Sequence, residues 1–156
     1  IKVVELKNLY LENEIKMVLR LRKKPIDMPP KKVLAVMENF KVNPNDGQSL
    51  DFISLDYLLE NVHKIDKGQG GAIRIRPHPS ELPDKYKEFE QKEANVEISD
   101  TFNLHQDLAN SDLVVGMQSF AMVVSQHCNI PTMSMLPPDS IKCVLPYREI
   151  LFLRDL

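Results

Sequence analysis

Two short stretches carry side chains whose types and spacing suit the binding of a phosphate. The first is RPHPSE, residues 76–81. Pro77 and Pro79 restrain the backbone on either side of His78. The imidazole therefore stands on a stiff segment, with Arg76 two residues behind it. A helix start just beyond would add unpaired N–H groups and the positive end of a dipole, and the arginine fork matches phosphate oxygens. The plainer alternative is a solvated histidine in a proline-rich loop. The second stretch is GMQSF, residues 116–120. Gly116 permits a tight turn or a close approach to a ligand. Ser119 opens an apolar helix, so its hydroxyl and the N–H groups of Ser119 and Phe120 make a second anion cradle. Simple N-capping is the other reading of Ser119.

Such residues need elements to position them. Residues 1–20 read as a helix, with Leu6, Leu9, Ile15, Val18 and Leu19 as an apolar stripe. RKKPIDMPPKK (22–32) is a basic linker whose prolines cannot continue it. Short apolar runs then alternate with helical patterns. Strands are expected at 32–38, 72–76, 94–100, 112–117, 130–136 and 149–153, and helices at 50–65, 80–92, 104–111 and 119–129, with a turn at 43–49. This alternation predicts the α/β class: a doubly wound, mostly parallel, Rossmann-like sheet with an extra N-terminal helix. The chain divides into a helix and linker at 1–32 and the sheet domain at 33–156. Strand order is not legible.

Open parallel sheets bind ligands at the carboxyl ends of their strands. The predicted tips are 38–40, 76–81, 99–101, 116–120 and 135–138. Glu38, Glu81, Ser99, Asp100 and Gln118 thereby become candidate contacts to a nucleotide or sugar. Ser99, Asp100 and Thr101 are equally ordinary helix caps, and a capping or solvated role is the alternative for Glu81.

Composition narrows the classes. The 156 residues are 43% hydrophobic with net charge −2, which argues against nucleic-acid binding. No apolar run reaches membrane-span length, and no signal peptide opens the chain. Two cysteines, Cys128 and Cys143, have no metal-ligand spacing and are too few for a disulfide framework, so a reducing cytoplasm, no metal and no cofactor are expected. Arg20, Arg22, Lys23, Lys24, Lys31 and Lys32 suit peripheral association with anionic lipid or glycan, or a solvated linker.

RPHP, the SD at 99–100 and LANSDLVVGMQSFAMVVSQHCNIPTMSMLP (108–137) together resemble the C-terminal Rossmann-like half of GT-B-type glycosyltransferases, over roughly residues 33–156. The resemblance extends to UDP-N-acetylglucosamine 2-epimerases, capsule and teichoic-acid transferases, and bacterial sialyltransferases. In the last group an HP motif and a downstream serine motif hold the phosphate of CMP-sialic acid. His78 and Pro79 match the HP pair, and Ser119 falls where the later serine lies. The resemblance implies a donor-binding domain for a CMP- or UDP-linked sugar, acting in surface polysaccharide synthesis with a glycan acceptor. His78 would stabilise charge on the leaving phosphate, and Arg76, Ser119 and Phe120 would help to hold it. It also implies a preceding Rossmann-like domain, in keeping with a first residue, Ile1, that is not Met. Two departures stand out. The sialyltransferase D/E-D/E-G motif is represented only by NDG at 45–47, and the epimerase Glu pair is missing from SFAMVVSQHC at 119–128. The terminal EILFLRDL reads as a last strand and the opening of a further helix.

Two other classes remain. Ser119 as a hydrolase nucleophile, with His105 or His127 as base, is suggested by GMQSFA, although the usual elbow is G-x-S-x-G. A non-catalytic nucleotide- or partner-binding domain is the other. The donor-site reading requires Arg76, His78 and Ser119 to share one cleft.

Overall fold

The computed structural model describes residues 6–40, 46–82 and 84–156. The helix α1 spans Leu9–Leu21 and begins at Asn8, whose side chain accepts from Leu11 N. The central strand β1 (Lys32–Val36) is buried on both faces, as expected for a strand with helices above and below. Helix α2 (Leu50–Ile65) follows, then β2 (Ala72–Arg76), α3 (Lys87–Lys92), β3 (Val96–Ile98), α4 (Leu104–Asn110), β4 (Leu113–Gly116), α5 (Phe120–His127), β5 (Thr132–Ser134) and β6 (Leu151–Phe152). All five strand pairings are parallel, in the order β3-β2-β1-β4-β5-β6. This is the strand order of a Rossmann-like doubly wound sheet. No α-helix joins β5 to β6; residues 135–150 cross in irregular structure.

Strand alternation sorts the core into two layers. Val33, Ala35, Ile73, Ile75 and Val115 face Leu55 and Leu58 of α2 and Phe89 of α3. Leu34, Val36 and Val114 face Leu108 of α4 and Met122 and Val124 of α5, with Val18 of α1 in the same cluster. The same alternation turns Arg74 and Arg76 away from the α2 side and toward α4. After Val36 the chain runs out through β2 and β3, then returns to the other side of β1 as β4. The strand order reverses between β1 and β4, where open α/β sheets form their ligand crevice.

Four expectations change. The α1 stripe holds only in part: Ile15 and Val18 turn inward as expected, together with Leu11 and Glu14, whereas Leu6, Leu9 and Leu19 are exposed. The helix expected at 80–92 is confined to Lys87–Lys92, because residues 78–81 form a turn held by their own side chains. The linker is tied down rather than free: Asp112, at the base of β4, accepts from the backbone N–H groups of Asp27, Lys31 and Lys32. Its Lys23, Lys24, Lys31 and Lys32 side chains remain exposed. Leu153–Asp155 form a 3-10 turn rather than the opening of an α-helix, and the Arg154 guanidinium donates to Leu136 O and Ile141 O. The turn expected at 43–49 falls partly outside the described residues, as do residues 1–5 of the first helix and Asn45 of NDG. No helix among the described residues is long and apolar enough to cross a membrane.

Candidate functional site

A cleft of about 850 Å³ opens at the carboxyl edge of the sheet, over the β1/β4 reversal. That size lies in the ~300–1,000 Å³ range of small-molecule sites. Its floor comes from the tips of β1 (Val36–Asn39) and β2 (Arg76–Pro79). One wall is the β3–α4 loop from Ser99 to His105; the other is the α5 start, Ser119–Ala121, with Tyr10 and Glu14 of α1. Arg76, His78 and Ser119 therefore line one cleft, joined there by Glu38, Glu81, Ser99 and Phe120. Asp100 and Gln118 are not among its lining residues.

His78 is held through one nitrogen. Its Nδ1 accepts from Ser80 N at 3.2 Å and lies 2.7 Å from Ser80 Oγ. Asn39 Nδ2 donates to that same hydroxyl at 3.1 Å, so the hydroxyl proton is directed to the ring. With Nδ1 an acceptor, the ring proton of the neutral imidazole sits on Nε2. Glu81 fixes the turn from beneath: its Oε2 accepts from His78 N at 2.8 Å. Its Oε1 receives Lys85 Nζ at 2.6 Å and lies 2.9 Å from the Tyr86 hydroxyl. Lys85 also pairs with Asp51, buried at the start of α2 and bonded to Ser49 Oγ. Glu81 is thus an anchor with a 1% exposed side chain, not an acceptor waiting for ribose. Burial pushes the Asp51 carboxyl up, but Lys85, Ser49 and Tyr86 outweigh it and hold the group below its usual range.

Arg76 also has a task other than phosphate binding. Its guanidinium donates to Asp107 Oδ2 at 2.6 Å, to Thr101 O at 2.9 Å and to Phe102 O at 3.0 Å. Because β2 alternates, Arg74 lies on the same face and reaches Asp107 Oδ1 at 3.0 Å, Glu97 at 2.7 Å and Asp100 at 2.8 Å. Asp100 is therefore turned outward to Arg74. Ser99 Oγ donates to Asp107 Oδ2 at 2.5 Å. Asp107 feels burial as an upward push, yet the Ser99, Arg76 and Thr101 bonds and the Arg76 charge leave it below the usual carboxylate range. This network, centred on the buried Asp107, shapes the β3–α4 wall and uses groups that sequence reasoning assigned to the ligand.

Ser119 stands differently. It is the N-cap of α5, but its side chain makes no capping bond, and its buried Oγ has no hydrogen-bond partner. Across the β1/β4 reversal, Glu38 Oε2 accepts from Gln118 N at 3.1 Å. Burial raises the Glu38 carboxyl above its ordinary value, with the Gln118 N–H opposing. Gln118 thus contributes its backbone here. Of the bases weighed for the hydrolase reading, His127 stands at the far end of α5, 3.3 Å from the Tyr147 hydroxyl, and His105 lines the cleft with its Nδ1 3.5 Å from Glu14 Oε2; neither is hydrogen-bonded to Ser119 Oγ.

Tyr10, Glu14 and His105 are among the lining residues that the sequence reading did not assign as ligand contacts. Tyr10 and Glu14 lie on α1, which the pattern left outside the sheet domain, and His105 lies in the first turn of α4. Tyr10 stacks on Phe120 with ring centroids 5.3 Å apart. The only available signal was Glu14 itself, a charge between Leu11 and Ile15 on a helix. Among the described residues no group of three or more His, Cys, Asp or Glu is arranged to hold a metal ion. No protein-family model, no curated protein and no solved structure matches this chain.

Proposed function

We propose that the cleft binds the phosphate of a nucleotide sugar, and that the domain is the donor-binding half of a cytoplasmic GT-B-type glycosyltransferase of surface polysaccharide synthesis. The observation that carries this reading is the pairing, on one cleft, of two unused donors at the strand-order reversal. One is the Ser119 hydroxyl with the N–H groups that open α5. The other is His78 Nε2, opposite the Nδ1 that Ser80 holds, with Asn39 bonded to the Ser80 hydroxyl. A helix start and an imidazole N–H both suit an anion. In glycosyl transfer, the bond from the anomeric carbon to the phosphate oxygen breaks and negative charge grows on the leaving phosphate. Donors fixed before the reaction stabilise that charge most effectively. In this reading His78 and the α5 start do that work, and Arg76 positions the β3–α4 wall through Asp107.

Isothermal titration with CMP, UMP and their nucleotide sugars, beside a p-nitrophenyl ester assay, tests the proposal. Saturable binding of the nucleotides without ester hydrolysis is the expected result. Absence of binding to any of them overturns the donor-site reading; ester hydrolysis supports the serine reading in its place.

A further inference from the structure

We infer that Glu14, with Tyr10 and His105, forms a hydroxyl-recognising subsite on the α1 side of the cleft, taking a vicinal diol of the ribose or of the sugar joined to the phosphate. The inference rests on the phosphate reading given above. Its starting point is a residue in the wrong place for stability. Glu14 lies on the inward face of α1 beside Leu11, Ile15 and Val18, and is only 7% exposed. Its Oε2 has no hydrogen-bond partner. His105 Nδ1, 3.5 Å away, is at ion-pair distance without hydrogen-bond geometry. A buried carboxylate is costly unless its lone pairs are used, so a buried, unpartnered acceptor in the wall of a cleft calls for donors from a ligand.

The surroundings select the class of ligand. A second phosphate is disfavoured, because a carboxylate repels it. A bare metal ion is disfavoured too, because no suitable ligand cluster surrounds Glu14 among the described residues. A neutral diol fits: two adjacent hydroxyls donate to one carboxylate, and a sugar ring presents an apolar C–H face to an aromatic. Tyr10, one turn before Glu14, is stacked on Phe120, so α1 and the α5 start form a continuous aromatic surface beside the carboxylate. His105 supplies a further polar group from α4. The phosphate cradle at Ser119 adjoins this wall, as a phosphorylated sugar requires.

The test titrates inorganic phosphate, UMP, 2′-deoxy-UMP and N-acetylglucosamine 1-phosphate into wild type and Glu14→Leu, with Tm recorded for both. Leucine suits the inward face of α1, so the variant is expected to melt at or above the wild-type temperature and to keep its affinity for inorganic phosphate. Affinity for diol-bearing ligands should fall about tenfold. If wild type prefers UMP to 2′-deoxy-UMP and the variant does not, the diol is the ribose; if only the sugar phosphate is affected, it is the sugar. Should Glu14→Leu fail to fold, the near-isosteric Glu14→Gln is measured in its place, with a smaller loss of the same pattern. Unchanged affinity for all four ligands in a folded variant overturns the subsite alone. Failure of wild type to bind any of them overturns the phosphate reading and the subsite together.

Discussion

On the phosphate-binding proposal, His78 acts through its geometry. Ser80 holds Nδ1, which leaves Nε2 as the ring nitrogen that meets the proposed phosphate. A bond from that group to phosphate is charge-assisted by the anion and contributes about 1.5–3 kcal/mol. His78→Ala is therefore expected to weaken nucleotide binding roughly ten- to a hundredfold. Its Tm should not move, since the residue is exposed and outside both cores. Calorimetry on both proteins decides; equal affinity with both folded makes RPHPSE a stiff turn and nothing more. Glu38 is expected to act in the opposite sense. Burial raises its folded pKa, so its contribution to stability is fully present below the unfolded value of about 4.3 and is lost as pH rises through the folded value. Glu38→Gln should thus be more stable than wild type at pH 7 and bind phosphate more tightly there, with both gains shrinking toward pH 4. Urea unfolding at the two pH values reads this directly. A less stable variant at pH 7 would mean that the Gln118 contact needs the full carboxylate charge.

At the scale of elements, the β4–α5 junction depends on what Gly116 lacks. A Cβ there would lie 2.8 Å from Val36 Cγ2 and 2.9 Å from Met122 Sδ. The sequence suggested a tight turn or room for a ligand at this glycine; the structure assigns it to the packing of β4 against β1 and α5. Methionine sulfur can swing aside, but the β-branched Val36 is stiff and buried in β1. Gly116→Ala is expected to cost about 1–3 kcal/mol by overpacking, and to disturb the two strand tips that flank the cleft. Denaturant unfolding measures the first effect, and nucleotide affinity the second. A variant as stable as wild type, with unchanged affinity, would show that α5 is free to shift. The same scale explains the shortened α3. Lys85 and Tyr86 are drawn to Asp51 and Glu81, and that cluster consumes the residues which a helical pattern assigns to the first turns.

Over the whole molecule, the parallel sheet was legible because apolar runs and helical periods alternate along the chain, and β1 reads apolar on both faces. Strand order was not, since it depends on where β4 returns, and nothing local to Leu113–Gly116 records that choice. His78 and Ser119 were legible as strand-tip residues. The pairings of Arg76, Glu81, Ser99 and Asp100 were not legible, for one physical reason: each side chain meets a partner elsewhere in the fold or within the turn, and pairing leaves no mark on local pattern. Those pairings suggest a final expectation. Asp51 and Asp107 are buried, and both have folded pKa values held below the usual range. A depressed carboxylate stabilises the fold above its unfolded pKa of about 3.9, and that contribution is lost as pH falls through the folded value. Asp51 ties the start of α2 to the His78 turn through Lys85 and Glu81, while Asp107 ties β2 to the β3–α4 loop through both arginines. Acid should therefore loosen the cleft walls and the fold together. Asp107→Asn leaves Arg76 without its carboxylate, and breaking such a pair costs about 3 kcal/mol at neutral pH. The deficit should narrow steadily below pH 4, where wild type loses the same interaction. Stability curves from pH 7 to pH 2 for the two proteins test this, and a deficit that stays constant down to pH 2 would mean that Asp107 acts through its shape rather than its charge.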